Sequence, residues 1–535
     1  MRSEEKLMVG EYLIGIDIGT SGCKSILIDG EGKVIGYSLQ EYPLLSPRPG
    51  WTEQDPADWW KAVQVSVWRL LRKTGISSNA VKCLGLSGQM HGLVALDKDC
   101  QVLRPAILWN DQRSMLQCQR IHEIVGGIPR LLELTNNQML PGYTGGKILW
   151  MREQEPKLYK RTRLFLNPKD YIRYVLTGEF ATEVSDASGT GLFDVRQRRW
   201  CDQLLTLLNI PIKRLPRCFE SPEITGRITK TASEVTGLPV GLPVVGGGGD
   251  AVIQTTGMGL VKPGILGITI GTAGIVAMGL DRFHPNTDGR LQIFCNNSPG
   301  TWHVMGVTLA AGGSYRWFRD ALCEVEKEKA RQMGQEVYQI MEEIASAAPA
   351  GSRGLIFLPY LIGERCPYSD PAARGGFIGL SLQHGRPEIT RAILEGVVFS
   401  LRDVFELINT MESSVKEIRT SGGGSLSSLW RQIQADVFQC PVITVSGSRE
   451  GGAYGAALVA GIGVGIWKSV NEAVKVLKIE TETIPDPRNK QVYEKLYGVY
   501  HGLYKTLKPS FDAIAQSQRQ EMIFHTTKEE TDELC

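Results

Sequence analysis

Apolar and polar positions alternate along Ile14-Gly15-Ile16-Asp17-Ile18 and then give way to Gly19-Thr20-Ser21-Gly22. The same pattern returns as Leu266-Gly267-Ile268-Thr269-Ile270 before Gly271-Thr272-Ala273-Gly274. A period of two predicts a strand, and glycines that permit a positive φ predict a tight turn into a second strand. Gapless alignment pairs Gly15 with Gly267, Ile16 with Ile268, Ile18 with Ile270, Gly19 with Gly271, Thr20 with Thr272 and Gly22 with Gly274, which marks a duplication. Further on, Val34–Tyr42 extends the first sheet, and Asp55-Pro56 opens a helix over about Ala57–Lys73 by capping rules. Val81–Leu86 reads as a strand, as does the stretch around Pro105–Leu108, and Lys147–Met151 and Asp170–Leu176 read as helical. Leu242–Val245 is a short strand entering Gly246-Gly247-Gly248-Gly249, before a helix over Ala251–Met258.

The second half repeats the hairpin and continues through a strand, Trp302–Leu309. A charged helix, Glu324–Ala347, and a buried strand, Leu355–Tyr360, follow. From Pro387 a helix carries Ile389, Ile393, Val397, Leu401 and Ile408 on one face, a core stripe. The strand Val415–Thr420 meets Gly422-Gly423-Gly424 before a helix, Leu429–Phe438. Gly451–Trp467 is uncharged but short of the roughly 20 residues a membrane span needs, so it reads as a buried helix whose glycines admit another backbone or a ligand. Beyond Leu507 the chain turns polar and charged, which predicts a mobile tail over 509–535.

Length and charge narrow the partners. A chain of 535 residues suits two large domains, here 12–258 and 259–508. A net charge of +2 with acids and bases interspersed gives no basic field for nucleic acid or an anionic membrane. Eleven cysteines without a Cys-x-x-Cys pair, and no apolar leader at the N-terminus, fit reduced thiols in the cytoplasm. The partner left is a small molecule.

The candidate chemistry lies where strands end. Backbone amides of the two turns, with Thr20 and Thr272, suit phosphate oxygens, so Gly19–Gly22 and Gly271–Gly274 can grip one triphosphate. Asp17 has Thr269 as its counterpart, and a single carboxylate beside phosphates is a magnesium feature. Gln89-Met90-His91 follows a strand's C-terminal end, where α/β sheets place ligands. Of seven histidines His91 is the functional candidate, against a His satisfied within its own loop. Trp109-Asn110-Asp111 suits a polyol, whose hydroxyls want donors and acceptors and whose carbons want a ring; helix capping by Asn110 or Asp111 is the competing reading. Asp250, on a glycine run that implies close approach, reads as a general base kept ionised by the helix N-terminus, or as a cap. The glycines around Ser421–Ser425 admit a phosphate or nucleoside, and no Walker-type motif is present.

These residues resemble the FGGY family of carbohydrate kinases, within the actin-like ATPase superfamily, over about residues 12–508. The resemblance rests on Gly142-Tyr143-Thr144-Gly145-Gly146-Lys147 through Gln154, and on Gly375, Phe377, Gly379 and Leu380 through Glu388, Ile389, Ala392 and Glu395. It implies an α/β fold of two actin-like (ribonuclease H-like) domains, mixed sheets flanked by helices with the active site in the interdomain cleft. It implies ATP and Mg2+, with sugar and ATP as partners, and is compatible with a homodimer. Gln89, Met90, His91, Trp109, Asn110, Asp111 and Asp250 then bind the sugar, with Asp250 the base and Asp17 assisting the metal through water and ATP phosphates. Gly19, Thr20, Ser21, Gly22, Gly271, Thr272, Ala273, Gly313, Gly423 and Gly424 fall to the nucleotide. The Gln89–Gly92 and Leu108–Asp111 stretches imply D-xylulose, phosphorylated at its 5-hydroxyl; another ketopentose, polyol or sugar acid is the alternative. Relatives acting on D-xylulose usually carry Asn after the catalytic Asp, where Ala251 stands here, and many have Ser where Ala273 stands. From another class, actin-like or chaperone-like ATPases share the hairpins but have no use for Asp250 or the Gln89–His91 loop.

Overall fold

The computed structural model describes residues 10–411 and 415–532, with side chains through residue 518. The chain folds into two compact units that are interleaved in sequence. The first comprises residues up to Ile265 together with Met278–Val304 and Val445–Ile479; the second holds Leu266–Ala277, Met305–Thr444 and the chain from Glu480.

The first unit is built on a seven-stranded mixed sheet. Its path runs Ile224–Arg227, Pro243–Val245, Val81–Gly88, Tyr12–Ile18, Gly22–Asp29 and Val34–Glu41, with Gly248–Gly249 adding to Val81–Gly88. Tyr12–Ile18 pairs antiparallel with Gly22–Asp29 and parallel with Val81–Gly88, so Asp17 lies level with Ser87. On one face lies the helix Pro56–Thr74. Asp55 accepts the Ala57 N–H at its start, Gly75 closes it at φ 68°, and Trp59, Val63, Val67 and Leu70 face the sheet's core. Asn or Asp at such a cap stabilises a helix by about 0.5–2 kcal/mol over Ala.

The other face is covered by Gly452–Gly463, nearly all of it buried. A Cβ on Gly15 would overlap the Ala453 carbonyl oxygen, one on Gly85 that of Ala456, and one on Gly455 that of Ile253. Helix therefore lies on sheet, and on the Asp250–Gly257 helix, at backbone distance. This is the close approach that the glycines of that uncharged stretch predict. Among the described residues no helix is long and apolar enough to cross a membrane.

The second seven-stranded sheet has at its centre, in order, Trp302–Thr308, Gly274–Leu280, Ile265–Ile270, Glu417–Ser421 and Val442–Val445. The helix Arg386–Asn409 buries Ile393, Val397, Leu401 and Ile408, while Ile389 at its first turn is half-buried. The charged stretch read as one helix is two, Glu324–Met333 and Val337–Ser346, because Gly334 terminates the first at φ 62°. The stretch read as a mobile tail continues a helix from Lys490 to Asp532, and its first turns are docked: Phe511 and Ala515 are buried.

Candidate active site

The first hairpin turn is held from several sides. Gly19 N–H donates to Gly22 O at 3.0 Å, Tyr42 Oη to Gly19 O at 2.5 Å, and Gln54 Nε2 to Thr20 O at 2.7 Å. Asp17, one residue inside the strand end, accepts from Ser87 Oγ at 2.6 Å. Burial raises its pKa, and the Ser87 hydroxyl and the charge of Lys24 counter this. A Cβ on Gly452 would overlap the Ser87 hydroxyl and come within 3.0 Å of Asp17 Oδ1, so only glycine lets that helix start here.

The second turn repeats the plan with one change of chemistry. Gly271 N–H donates to Ala273 O at 3.0 Å, and the N–H groups of Ala311 and Gly313 both donate to Thr272 O. Where Asp17 meets Ser87, Thr269 meets Ser421, Oγ1 to Oγ at 2.8 Å. The duplication thus extends to the hydroxyl behind each turn, and only the first copy keeps a carboxylate.

Gln89, Met90 and His91 are carried past the end of Val81–Gly88. Gln89 is buried: its N–H donates to Ile18 O and its Nε2 to Gln54 Oε1, and its Oε1 has no partner among the described residues. Met90 packs on Gly249, where any Cβ would collide with it. His91 is in the left-handed region at φ 68° and stacks on Tyr143 at 4.6 Å between centroids. Its Nδ1 lies 2.5 Å from Gly189 O, and since a carbonyl only accepts, Nδ1 carries the proton. Lys147 Nζ and Thr144 Oγ1 donate to the His91 carbonyl at 2.7 and 3.1 Å. The Gly142–Gln154 signature therefore fixes the His91 loop, a role its sequence did not disclose. Burial pulls Lys147 down to about 7.

Of the polyol cluster, the three side chains go three ways. Trp109 is exposed and its Nε1 donates to Thr20 Oγ1 at 2.9 Å, tying it to the phosphate turn. Asn110 Oδ1 is buried with no partner among the described residues. Asp111 is fully buried and taken up by Arg113, through N, Nε and Nη2, and by Thr52 N–H at 2.6 Å. Arg113 also bonds Glu53 Oε1 at 2.7 Å and stacks 3.7 Å from the Trp51 ring centroid, so Asp111 anchors the Gly50–Glu53 loop. Neither Asn110 nor Asp111 caps the next helix, which begins at Met115 after Ser114.

Each glycine before Asp250 is pressed by something different. A Cβ on Gly246 would come within 3.0 Å of the carbonyl oxygens of Glu220 and Ser221, and one on Gly247, at φ 70°, would overlap Leu86 O. One on Gly248 would overlap Asn297 Nδ2, and one on Gly249 would meet Met90. Asp250 is the first residue of Asp250–Gly257, with Gly249 as its cap. Its Oδ1 accepts the Ala251 N–H at 2.7 Å. Burial, then the charge of Asp17, push its pKa up to about 7, although backbone N–H groups of Ala251 and Met90 pull the other way. The expectation that the helix terminus keeps it ionised is thus reversed: desolvation and a like charge outweigh a dipole term of about 0.3–1 kcal/mol. A carboxyl poised near neutrality is what a general base requires.

In the second unit, Gly271, Thr272, Gly423 and Gly424 line a cavity of about 540 Å³. Sequence reading missed its other walls, among them Tyr315, Arg316, Tyr338, Glu342 and Trp430. Tyr315 stacks on Tyr338 and meets Trp430 edge-on, an aromatic wall such as a nucleobase wants, while Arg316 Nη2 reaches Thr272 Oγ1 at 3.4 Å. Gly313 backs the turn, its N–H on Thr272 O at 3.0 Å.

Comparison with known proteins agrees along nearly the whole chain. Residues 12–257 match the FGGY family of carbohydrate kinases, N-terminal domain, and residues 266–464 the C-terminal domain of that family. The xylulose kinase of Bacillus subtilis is 36% identical over 499 residues, 93% of this chain and 97% of that protein. The gluconokinase of the same organism is 29% identical, covering 95% of this chain and 98% of that protein. The crystal structure of a xylulose kinase from Brucella ovis superposes with a TM-score of 0.84 at 32% identity, covering 93% of this chain and 99% of that one. With two mixed-sheet units flanked by helices, and matches to both family domains, this chain belongs to the FGGY family of carbohydrate kinases.

Proposed function

We propose that the protein transfers the γ-phosphoryl group of ATP to the 5-hydroxyl of D-xylulose, giving D-xylulose 5-phosphate and ADP. The observation that carries the reading is Asp250: a carboxyl brought near neutrality by burial and by Asp17, next to the Gln89–His91 loop. It takes the proton of the acceptor hydroxyl as that oxygen bonds to the γ-phosphorus and the bond to the bridging oxygen of ADP breaks. Phosphoryl transition states are loose, so the remaining residues position the substrates and offset charge. The Oε1 of Gln89 and the Oδ1 of Asn110, which have no partner among the described residues, are acceptors for sugar hydroxyls. Gly19–Gly22 and Gly271–Ala273 hold phosphate oxygens, and the Tyr315–Trp430 cavity takes the base.

Mg2+ fits this donor set. The ion prefers one or two carboxylates plus water and substrate phosphates, and no group of three or more metal-ligating side chains occurs among the described residues. Asp17 would hold it through water; when bound, it neutralises charge on the triphosphate. The described cysteines are free thiols, which supports a cytoplasmic enzyme; nothing in the scheme requires a homodimer.

Ala251 offers no hydrogen-bonding side chain beside the base, and a gluconokinase stands among the relatives, so a sugar acid is the second reading. ADP release measured over D-xylulose, D- and L-ribulose, L-xylulose, gluconate, glycerol and erythritol decides between them. D-xylulose should have the highest kcat/KM; gluconate ahead by tenfold would transfer the assignment to it.

A further inference from the structure

A run of four glycines is the loosest support a catalytic side chain can have, because glycine has the most backbone freedom to lose. Steric pressure confines Gly246 to Gly249, and one polar side chain additionally grips the residue next to Asp250. Gly249 N–H donates to Ser185 Oγ at 3.0 Å, and Ser185 Oγ donates onward to Glu183 Oε1 at 2.8 Å. Glu183 is itself fixed by the N–H groups of Ser185 and Asp186, each at 2.8 Å, and by Ser221 Oγ at 3.0 Å. Asn297 closes the frame. Its Nδ2 reaches Ser221 Oγ at 2.9 Å and Ser185 Oγ at 3.4 Å, and its Oδ1 accepts from Thr256 Oγ1 at 3.0 Å, on the helix that Asp250 begins.

Ser185, Glu183, Ser221, Asn297 and Thr256 are all fully buried. The short helix Val184–Ser188 that bears Ser185 is anchored in turn by charge. Lys169 Nζ lies 2.5 Å from Asp170, 3.4 Å from Asp186 and 3.9 Å from Glu183, all without solvent exposure. None of these groups is given a substrate contact in the scheme above, yet they converge on the Gly248–Gly249 peptide, one residue ahead of the base.

We infer that Ser185 is a positioning residue for phosphoryl transfer: its hydroxyl, held by Glu183 and Asn297, fixes the Gly248–Gly249 peptide, one residue ahead of Asp250, and so aims the Asp250 carboxylate at the acceptor hydroxyl. The inference rests on Asp250 being the base. Without the Ser185 hydroxyl the buried Gly249 N–H loses its acceptor, and the run shifts to find another. A displacement of about 1 Å at a reacting group can cost about 10²-fold in rate.

The test compares Ser185→Ala, Ser185→Cys and Asp250→Asn as full chains, by sugar-dependent ADP release and thermal melting. Ser185→Ala should melt as a folded protein and lose about 10- to 100-fold in kcat, with KM for sugar and for ATP within about threefold. Ser185→Cys, which keeps the volume but offers a poor acceptor, should lose kcat in the same sense. A folded Ser185→Ala with kcat within about twofold of the parent overturns the inference, as does a loss carried by KM alone. Failure of both Ser185 variants to fold also overturns it, since the hydroxyl then serves folding. An Asp250→Asn enzyme that keeps its kcat removes the base itself, a separate failure that refutes the parent reading.

Discussion

Asp250→Asn should stabilise the protein at high pH while it disables it. Burial and Asp17 raise the Asp250 carboxyl from its ordinary 3.8 to about 7. Above pH 7 the folded protein therefore carries an ionised group that would rather be in the unfolded chain. Each tenfold change in proton affinity is worth about 1.4 kcal/mol, so the penalty approaches about 4 kcal/mol at pH 8 and about 1.7 kcal/mol at pH 5. The sign follows from the raised value. Below pH 3.8 the carboxyl is protonated in both states and costs nothing; the cost grows as pH rises to 7 and then levels off. Asp250 is half-buried rather than sealed, and solvent screening trims the figure. We expect the stability of Asp250→Asn relative to the parent to grow by about 1–3 kcal/mol between pH 5 and pH 8. Urea unfolding of both proteins with a thiol reductant, without nucleotide or Mg2+, measures it. The amide adds an offset that does not depend on pH, so the slope is the test. A gap that stays flat or shrinks with rising pH would refute the assignment of a raised pKa to Asp250.

In the parent enzyme kcat should rise with pH through about 7, being about tenfold below its plateau at pH 6, and a profile flat from pH 5.5 to 8 would count against Asp250 as the titrating base. Asp17→Ala should lower kcat, and its defect should shrink as Mg2+ is raised; a variant indifferent to Mg2+ would separate Asp17 from the metal. Arg316→Ala, an exposed change beside Thr272, should raise KM for ATP about tenfold or more and leave KM for the sugar unchanged, which initial-rate kinetics would read directly. Gly85→Ala should cost about 3 kcal/mol or more, because its Cβ would overlap the Ala456 backbone; an unchanged melting temperature would mean the helix Gly452–Gly463 does not lie on this sheet.

What the chain discloses by itself is local. The hairpin turns, the Asp55-Pro56 cap and the Ile393–Ile408 stripe depend on neighbours in sequence, and the folded elements follow them. The Gly452–Gly463 helix is legible as buried and tightly approached, yet not as part of the first unit, because its partners Gly15 and Gly85 lie hundreds of residues away. Asp111 looks available for a sugar because its other partner, the Thr52 N–H, is remote in sequence. The polar stretch Thr182–Phe193 has no readable role; Ser185 takes its meaning from Gly249 and Asn297, neighbours that only the fold supplies. Asp250 itself stands out, but its charge state depends on Asp17, brought close by the sheet.

The most direct measurement is sugar-dependent ADP release by parent and Asp250→Asn, side by side, with D-xylulose, Mg2+ and ATP at pH 8. The parent should turn over D-xylulose with formation of the 5-phosphate, and Asp250→Asn should lose about 10²–10⁴-fold in kcat with KM for ATP little changed. A parent that phosphorylates none of the sugars tried, or an Asp250→Asn protein that keeps most of its turnover, would contradict the proposed reaction at its centre.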